Sequence, residues 1–144
     1  MTLHDGFRRL ALPDARPVRF VLVGVTGVGV NMLVIWMGTA GLHLHTTAAG
    51  VLAAVVSTFT NFTLNSIFTW RDRRSAALRL QAARLVRYYV TTGGGNVVYL
   101  GVLTMLVHTL EVRLALANLV AIAVGGAFNY LLHNAWTWRR GEPA

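Results

Sequence analysis

The chain has 144 residues, of which 55% are hydrophobic and 12% charged, and its mean hydropathy is +0.55. Because soluble domains carry about a quarter charged residues, this composition excludes an ordinary soluble domain and predicts a membrane protein. All thirteen basic residues are arginine, and the net charge is +8. They lie in short clusters beside apolar runs, so we predict no nucleic-acid partner. The chain has no cysteine, which excludes disulfides and thiolate chemistry.

Four apolar stretches follow a short tail, and each has about the 20 residues that a helix needs to cross a bilayer. In chain order they are Val18–Gly41, Thr46–Phe68, Leu85–Thr109 and Leu114–Trp136. None alternates as a spanning β-strand does. The connections at residues 43–47 and 109–113 are very short. We therefore predict an all-α integral membrane protein whose four transmembrane helices pair as two hairpins.

The second half of the chain repeats the first. A shift of 68 residues superposes fourteen identical residues over positions 19–71 without a gap. Each copy holds two spans, so both enter the membrane from the same side and the repeat is parallel. The predicted organisation is a cytoplasmic tail (1–17), a first hairpin repeat (18–71), a basic amphipathic linker (72–86) and a second hairpin repeat (87–139).

Arginine placement predicts the topology. Twelve of the thirteen arginines, all but Arg113, lie within residues 8–19, within the connection at 71–87 or at the C-terminus. By the positive-inside rule, both termini and the linker are cytoplasmic and the two short turns face outward. The spacing within the linker favours a basic helix that lies in the inner headgroup layer before turning into the third span. A solvated charged loop is the alternative.

A polar stripe marks one face of the second span, where Ser57, Asn61 and Asn65 are spaced four residues apart. The copies of these residues on the fourth span are Gly125, Asn129 and His133. Amides have unmet hydrogen bonds in hydrocarbon, so we expect this stripe to face inward. It serves either helix packing or a binding site. The additional polar residues nearby, including Asn134, favour a site.

Each stripe ends in an aromatic and basic motif at a span terminus, as in Trp70-Arg71 and its copy Trp138-Arg139. Tryptophan is typical of the water–lipid boundary, and arginine just beyond it can bind phosphate. One interpretation is simple anchoring. The other adds Arg19 and Arg87, which begin the first and third spans, to make a ring of guanidiniums around an anionic headgroup.

The sequence offers little for catalysis. No acidic residue lies in the middle of a span, so there is no acid/base pair or metal cage, and we predict neither an enzyme nor a cofactor. The glycine motifs at residues 24–29 and 91–96 do not follow a strand or match a phosphate-binding loop. Their position inside spans favours close helix packing.

Together, the opening "RFVLVGVTGVGVN" and the closing motifs "NFTLNSIFTWR" and "NYLLHNAWTWR" resemble the GtrA-like family of small four-helix bacterial membrane proteins. The resemblance covers about residues 17–140. It implies a multi-pass protein of the bacterial inner membrane. It further implies movement of a polyprenyl-phosphate-linked sugar from the cytoplasmic to the outer leaflet for surface polysaccharide or cell-wall glycosylation.

The resemblance also implies a cargo site, with the phosphate held by Arg19, Arg71, Arg87 and Arg139 beside Trp70 and Trp138. Sugar hydroxyls would be received by Asn61, Asn65, Asn129, His133 and Asn134. The second copy departs from the first at His133, which stands where the first has Asn65, so a symmetric site is weaker there.

The expected partners are the polyprenyl-phosphate sugar lipid, membrane lipids, a glycosyltransferase and further copies of the chain, because four helices enclose little volume. Two alternative functions stay open. One is a non-transporting scaffold that anchors a glycosyltransferase at the membrane. The other is a small multidrug-type exporter, which normally requires the membrane-embedded carboxylate that this sequence lacks.

Overall fold

The computed structural model describes residues 15–139, which form four long α-helices and no β-strand. The helices are α1 (Arg16–Trp36), α2 (Thr46–Leu64), α3 (Leu78–Thr104) and α4 (Leu114–Leu132). Each ends in a five-residue π-helical turn: Met37–Gly41, Asn65–Thr69, Met105–Thr109 and His133–Thr137. A short 3₁₀ turn, Arg71–Arg73, lies between α2 and α3.

Each helix with its π-helical turn is long enough to cross a membrane. The continuous stretches are Arg16–Gly41, Thr46–Thr69, Leu78–Thr109 and Leu114–Thr137. Their surfaces expose large apolar side chains, such as Met32 on α1 and Leu119 on α4, as expected of helices that face lipid. The all-α fold and the four spans are therefore confirmed, and the chain is a multi-pass membrane protein.

The two halves of the structure repeat each other. Helix α2 runs from residue 46 to 64 and α4 from 114 to 132, so both bounds are offset by 68. The two short turns share the same backbone irregularity, because His43 and Glu111 both have φ of 52°. We call the end of the bundle where α1 and α3 begin the basic end, and the opposite end the turn end.

Small residues bring the helices of each hairpin together. Ala49 and Ala53 of α2 are fully buried against α1, and their copies Ala117 and Ala121 of α4 are buried in the same way. Small side chains allow the close approach that dispersion requires in lipid, where the hydrophobic effect no longer drives association. Of the two glycine motifs, Gly27 and Gly95 are buried at helix contacts, which agrees with the packing prediction, whereas Gly24, Gly29 and Gly93 face open space.

The linker differs from the sequence expectation. Instead of a separate helix that turns into the third span, α3 is one helix from Leu78 to Thr104. The physical reason is that residues 78–92 contain neither proline nor glycine and are mostly good helix formers. Of the predicted tail, residues 1–14 lie outside the described part of the chain, and the division into tail, repeats and linker stays a prediction.

Candidate functional site

The predicted site residues lie around the basic end in three kinds of environment. Four are buried: Asn65, Trp70, His133 and Trp138. Five are partly buried: Arg19, Asn61, Arg87, Asn129 and Asn134. Two are exposed: Arg71 and Arg139. The burial of Asn65 and His133 agrees with a polar stripe that faces inward.

A cluster of stacked rings joins the two hairpins, and we call it the aromatic cluster. Its members are Phe20, Phe62, Trp70, Tyr88, Tyr130, His133 and Trp138. At its centre the Trp70 and Trp138 rings stack nearly parallel, with centroids 4.2 Å apart and planes 7° apart. Because these two residues are copies of each other, the stack lies where the two repeats meet.

The structure corrects the interpretation that these tryptophans simply anchor the spans by exposing their rings to lipid headgroups. Both are 0% exposed. Each follows a π-helical turn, eight residues after Phe62 or Tyr130, and its ring packs against the other hairpin. Phe62 stacks on Trp138, and its copy Tyr130 stacks on Trp70, at centroid distances of 5.9 and 6.1 Å. Ring packing across the repeat therefore withdraws the indoles from lipid.

Two predicted sugar-binding residues are already occupied by protein partners. Asn65 Nδ2 donates to the Tyr88 hydroxyl at 3.1 Å, and the Thr69 hydroxyl donates to Asn65 Oδ1 at 2.6 Å. The His133 ring stacks on Tyr88 at 4.2 Å, and its Nδ1 lies 3.0 Å from Thr137 Oγ1. These interactions fix both side chains in the bundle.

Asn61 and Asn129 occupy notches in the neighbouring helix. A Cβ on Gly27 would overlap the Asn61 amide, and a Cβ on Gly95 would overlap the Asn129 amide. In both residues Oδ1 is buried and accepts no hydrogen bond from residues 15–139. The two copies thus present the same unused acceptor at equivalent positions of the two hairpins.

A further hydrogen-bond network closes the basic end. Arg73 Nη1 donates to the carbonyl of Asn134 at 2.9 Å and also to the carbonyl of Trp138. The buried Arg84 donates to the carbonyl of Arg73 at 2.7 Å. Asn134, predicted to bind sugar, accepts from Trp70 Nε1 at 3.3 Å through its Oδ1. Here it ties the tryptophan stack to this network.

Sequence reasoning missed Arg73, Arg84 and Tyr88. Arg73 and Arg84 were assigned to a linker along the headgroups, yet both pack into the protein. A signal was present in Asp72, the one acidic residue between α2 and α3, which gives neighbouring arginines a local partner. Tyr88 stands where the first repeat has Phe20, so its hydroxyl is an addition that only the second copy carries.

The predicted ring of four arginines is uneven in depth. Arg71 and Arg139 are exposed just beyond their spans, whereas Arg19 and Arg87 are partly buried. Arg87 Nη1 is 3.5 Å from the carbonyl of Trp136, a long hydrogen bond between α3 and the end of α4. Their role in phosphate binding stays a prediction. Within residues 15–139, no group of three or more His, Asp or Glu side chains is placed to hold a metal ion.

Comparison with known proteins places the chain in a family. Residues 19–138 match the model of the family described as GtrA/DPMS, transmembrane domain. The chain belongs to this family. A dolichol-phosphate mannosyltransferase of Pyrococcus furiosus is 29% identical over 123 residues, which is 85% of this chain and 34% of that protein. This GtrA/DPMS transmembrane domain therefore spans about a third of the length of the mannosyltransferase, and the family resemblance is confirmed.

Proposed function

We propose that the protein moves a polyprenyl-phosphate-linked monosaccharide from the cytoplasmic to the outer leaflet, where the sugar is used for surface polysaccharide or cell-wall glycosylation. Membership of the GtrA/DPMS family supports a role with such lipids. So does the likeness to a protein named for dolichol phosphate, which is itself a polyprenyl phosphate. In this proposal the chain carries no catalytic site of its own.

The observation that carries the proposal is the pair of unused acceptors, Asn61 Oδ1 and Asn129 Oδ1. A buried acceptor without a donor costs free energy in any medium that excludes water, and most of all in hydrocarbon. A sugar hydroxyl that reaches the interface between the two helices of a hairpin would supply the missing donor. Because the two acceptors are copies, each hairpin offers a headgroup the same contact, beside Gly27 in one hairpin and beside Gly95 in the other.

The distribution of charge supports one orientation for this route. Arg71 and Arg139 are exposed at the basic end, and Arg113 lies at the turn end. The positive-inside rule assigns the basic end to the cytoplasm and the turns to the outside. We infer a bacterial inner-membrane location, with the prenyl tail remaining in lipid and only the headgroup crossing along the polar stripe. A homo-oligomer enlarges the space available to that headgroup.

A scaffold that anchors a glycosyltransferase is the second candidate. It is favoured by the relative's length, because this chain corresponds to about a third of the mannosyltransferase. A scaffold needs only a rigid bundle, and the contact of Asn61 with Gly27 provides rigidity whether or not cargo passes. In that case the amides are packing residues and their unused acceptors are incidental.

The decisive experiment measures headgroup movement in reconstituted proteoliposomes that contain polyprenyl-phosphate sugars and no glycosyltransferase. The test variant is Asn61→Ala combined with Asn129→Ala, which removes both acceptors without adding bulk. The matched control is Asn118→Ala, since Asn118 lies outside the stripe and its Oδ1 already accepts from the Tyr99 hydroxyl at 2.8 Å. Translocation requires the wild type and the control to move headgroups at similar rates, and the double variant to be slower by at least tenfold.

Two results would contradict the proposal. A wild-type chain that moves no headgroup, while still retaining a glycosyltransferase at the membrane, favours the scaffold. A double variant that is folded, as judged by tryptophan fluorescence, and moves headgroups at the wild-type rate removes the role assigned to Asn61 and Asn129.

A further inference from the structure

Two guanidiniums from different segments converge on one carboxylate oxygen at the basic end. Arg16 Nη2, at the start of α1, lies 3.1 Å from Asp72 Oδ2. Arg73 Nε lies 3.8 Å from the same oxygen. The side chains of Arg16 and Arg73 are 12% and 9% exposed, whereas that of Asp72 is 47% exposed. The two guanidiniums are thus largely buried, and the Asp72 carboxylate is the more exposed partner.

Both the side chain and the backbone of Arg73 are held in place by hydrogen bonds. Its Nη1 is fixed by the carbonyls of Asn134 and Trp138 at the end of α4. Its backbone is fixed by Arg84, whose side chain is buried and donates to the Arg73 carbonyl. A cation that is already positioned loses little side-chain entropy when it binds an anion. The arrangement therefore has the properties of a preorganised anion site.

The chemistry of this site suits phosphate better than carboxylate. Guanidiniums bind phosphate oxygens through charge-assisted hydrogen bonds, and a phosphate offers more oxygens to two converging guanidiniums than a carboxylate does. Within residues 15–139, Asp72 is the one acidic residue at the basic end. The local charge stays positive even with Asp72 in place, because the exposed Arg71 lies next to it in the chain.

We propose that Arg16 and Arg73 form a phosphate site, and that Asp72 fills it as an internal competitor until a phosphate displaces the carboxylate. The proposal rests on the proposed function for the identity of the lipid, namely a polyprenyl phosphate. The anion exchange itself is a binding property and does not depend on translocation. It differs from the ring of Arg19, Arg71, Arg87 and Arg139 predicted from the sequence, because here the cations are Arg16 at the start of α1 and Arg73 in the linker.

Exchange at this site has a mechanical consequence. The ion pair between Arg16 and Asp72 ties α1 to the connection between the hairpins. Arg73 ties that same connection to the end of α4. A phosphate that replaces Asp72 keeps α1 and α4 bridged through the ligand, while the carboxylate swings into solvent. Binding of the cargo would thus break the direct ion pair between α1 and the linker, and the aromatic cluster would stay packed.

The test measures equilibrium binding of polyprenyl phosphate to the full chain in nanodiscs made of uncharged lipid. Asp72→Asn removes the competitor and leaves both cations, so we expect about two- to fivefold tighter binding, which is the strength of a partly exposed ion pair. Arg16→Gln removes a charged donor, so we expect binding to weaken about tenfold or more.

Matched controls separate the site from bulk charge. Glu111→Gln removes a carboxylate at the turn end, and Arg79→Gln removes an exposed arginine at the basic end. Both should bind polyprenyl phosphate within about twofold of the wild type. Arg16→Lys keeps the charge and loses the planar fork, so its affinity should fall between the wild type and Arg16→Gln. Tryptophan fluorescence reports whether each variant retains the aromatic cluster.

A second arm identifies the source of the phosphate by competition with inorganic phosphate. If added polyprenyl phosphate displaces the bound polyprenyl phosphate and inorganic phosphate does not, the site binds a lipid headgroup. Equal displacement by millimolar inorganic phosphate supports the same anion site with free phosphate as its ligand. The proposal is overturned if folded Asp72→Asn binds no tighter than the wild type, or if Arg16→Gln and Arg79→Gln weaken binding equally. Tighter binding by Asp72→Asn in a chain that moves no headgroup would leave the anion site standing and reject translocation.

Discussion

A close helix contact in each hairpin gives a sharp test of the packing. Gly27 faces the Asn61 amide so closely that an added methyl group overlaps it, and Gly95 faces Asn129 in the same way. Gly29 lies on the same helix as Gly27, but a Cβ there meets no atom within 4 Å. Gly27→Ala and Gly29→Ala therefore make the same chemical change in crowded and in open surroundings.

The expected free energies of unfolding differ in sign. Overpacking a filled contact costs about 1–3 kcal/mol, so Gly27→Ala should destabilise the protein by that amount. Replacing an unpacked helix glycine with alanine gains about 0.5–1 kcal/mol, so Gly29→Ala should be neutral to stabilising. The two variants should thus differ by about 1.5–4 kcal/mol, which is large against the marginal stability of most folds.

Equilibrium unfolding in mixed detergent micelles, followed by tryptophan fluorescence, measures this difference. A double variant, Gly27→Ala with Asn61→Ala, removes the group that the methyl overlaps and should recover most of the lost stability. Equal stability of Gly27→Ala and Gly29→Ala would refute the reasoning. So would a double variant that is no more stable than Gly27→Ala alone, because the cost would then arise outside this contact.

Three further outcomes follow from the same structure. Trp70→Ala should destabilise the protein by about 3–5 kcal/mol in the same unfolding assay, because the ring is buried. Trp36→Ala, at an exposed position, should cost far less. Similar losses in stability would show that the tryptophan stack is not part of the packed core. Tyr88→Phe should cost about 0.6–2 kcal/mol, because it removes the hydroxyl that accepts a hydrogen bond from the buried Asn65 amide; unchanged stability would show that this bond contributes nothing. Because the chain lacks cysteine, the single variants His43→Cys and Arg79→Cys can each be labelled with a membrane-impermeant maleimide. The two should react from opposite faces of the membrane, and labelling of both from one face would reject the inferred orientation.

Much of the fold could be predicted because local composition determines it. Hydropathy located the second span at Thr46–Phe68, and the structure has it at Thr46–Thr69. Helices in lipid satisfy their own backbone hydrogen bonds, so an apolar stretch of sufficient length leaves few alternatives. The inward stripe was also predictable, because Ser57 and Asn65 share a helix face and both are buried.

The tryptophan stack could not be predicted in the same way. A tryptophan at the end of a span can either face the lipid headgroups or pack inside the protein. Which of the two occurs depends on how two hairpins that are distant in sequence meet. The repeat itself held the missing information. When a duplicated chain folds with its copies related across an axis, residues on that axis contact their own copies, as Trp70 and Trp138 do.

That contact also explains where the two copies are free to diverge. In a dimer of separate identical hairpins, any substitution changes both sides at once. A covalent duplication removes this constraint, so one half can gain a tyrosine hydroxyl while the other keeps phenylalanine, as at Tyr88 and Phe20. The tryptophan pair remains matched at the shared axis, and around it evolution has been able to specialise one hairpin without altering the other.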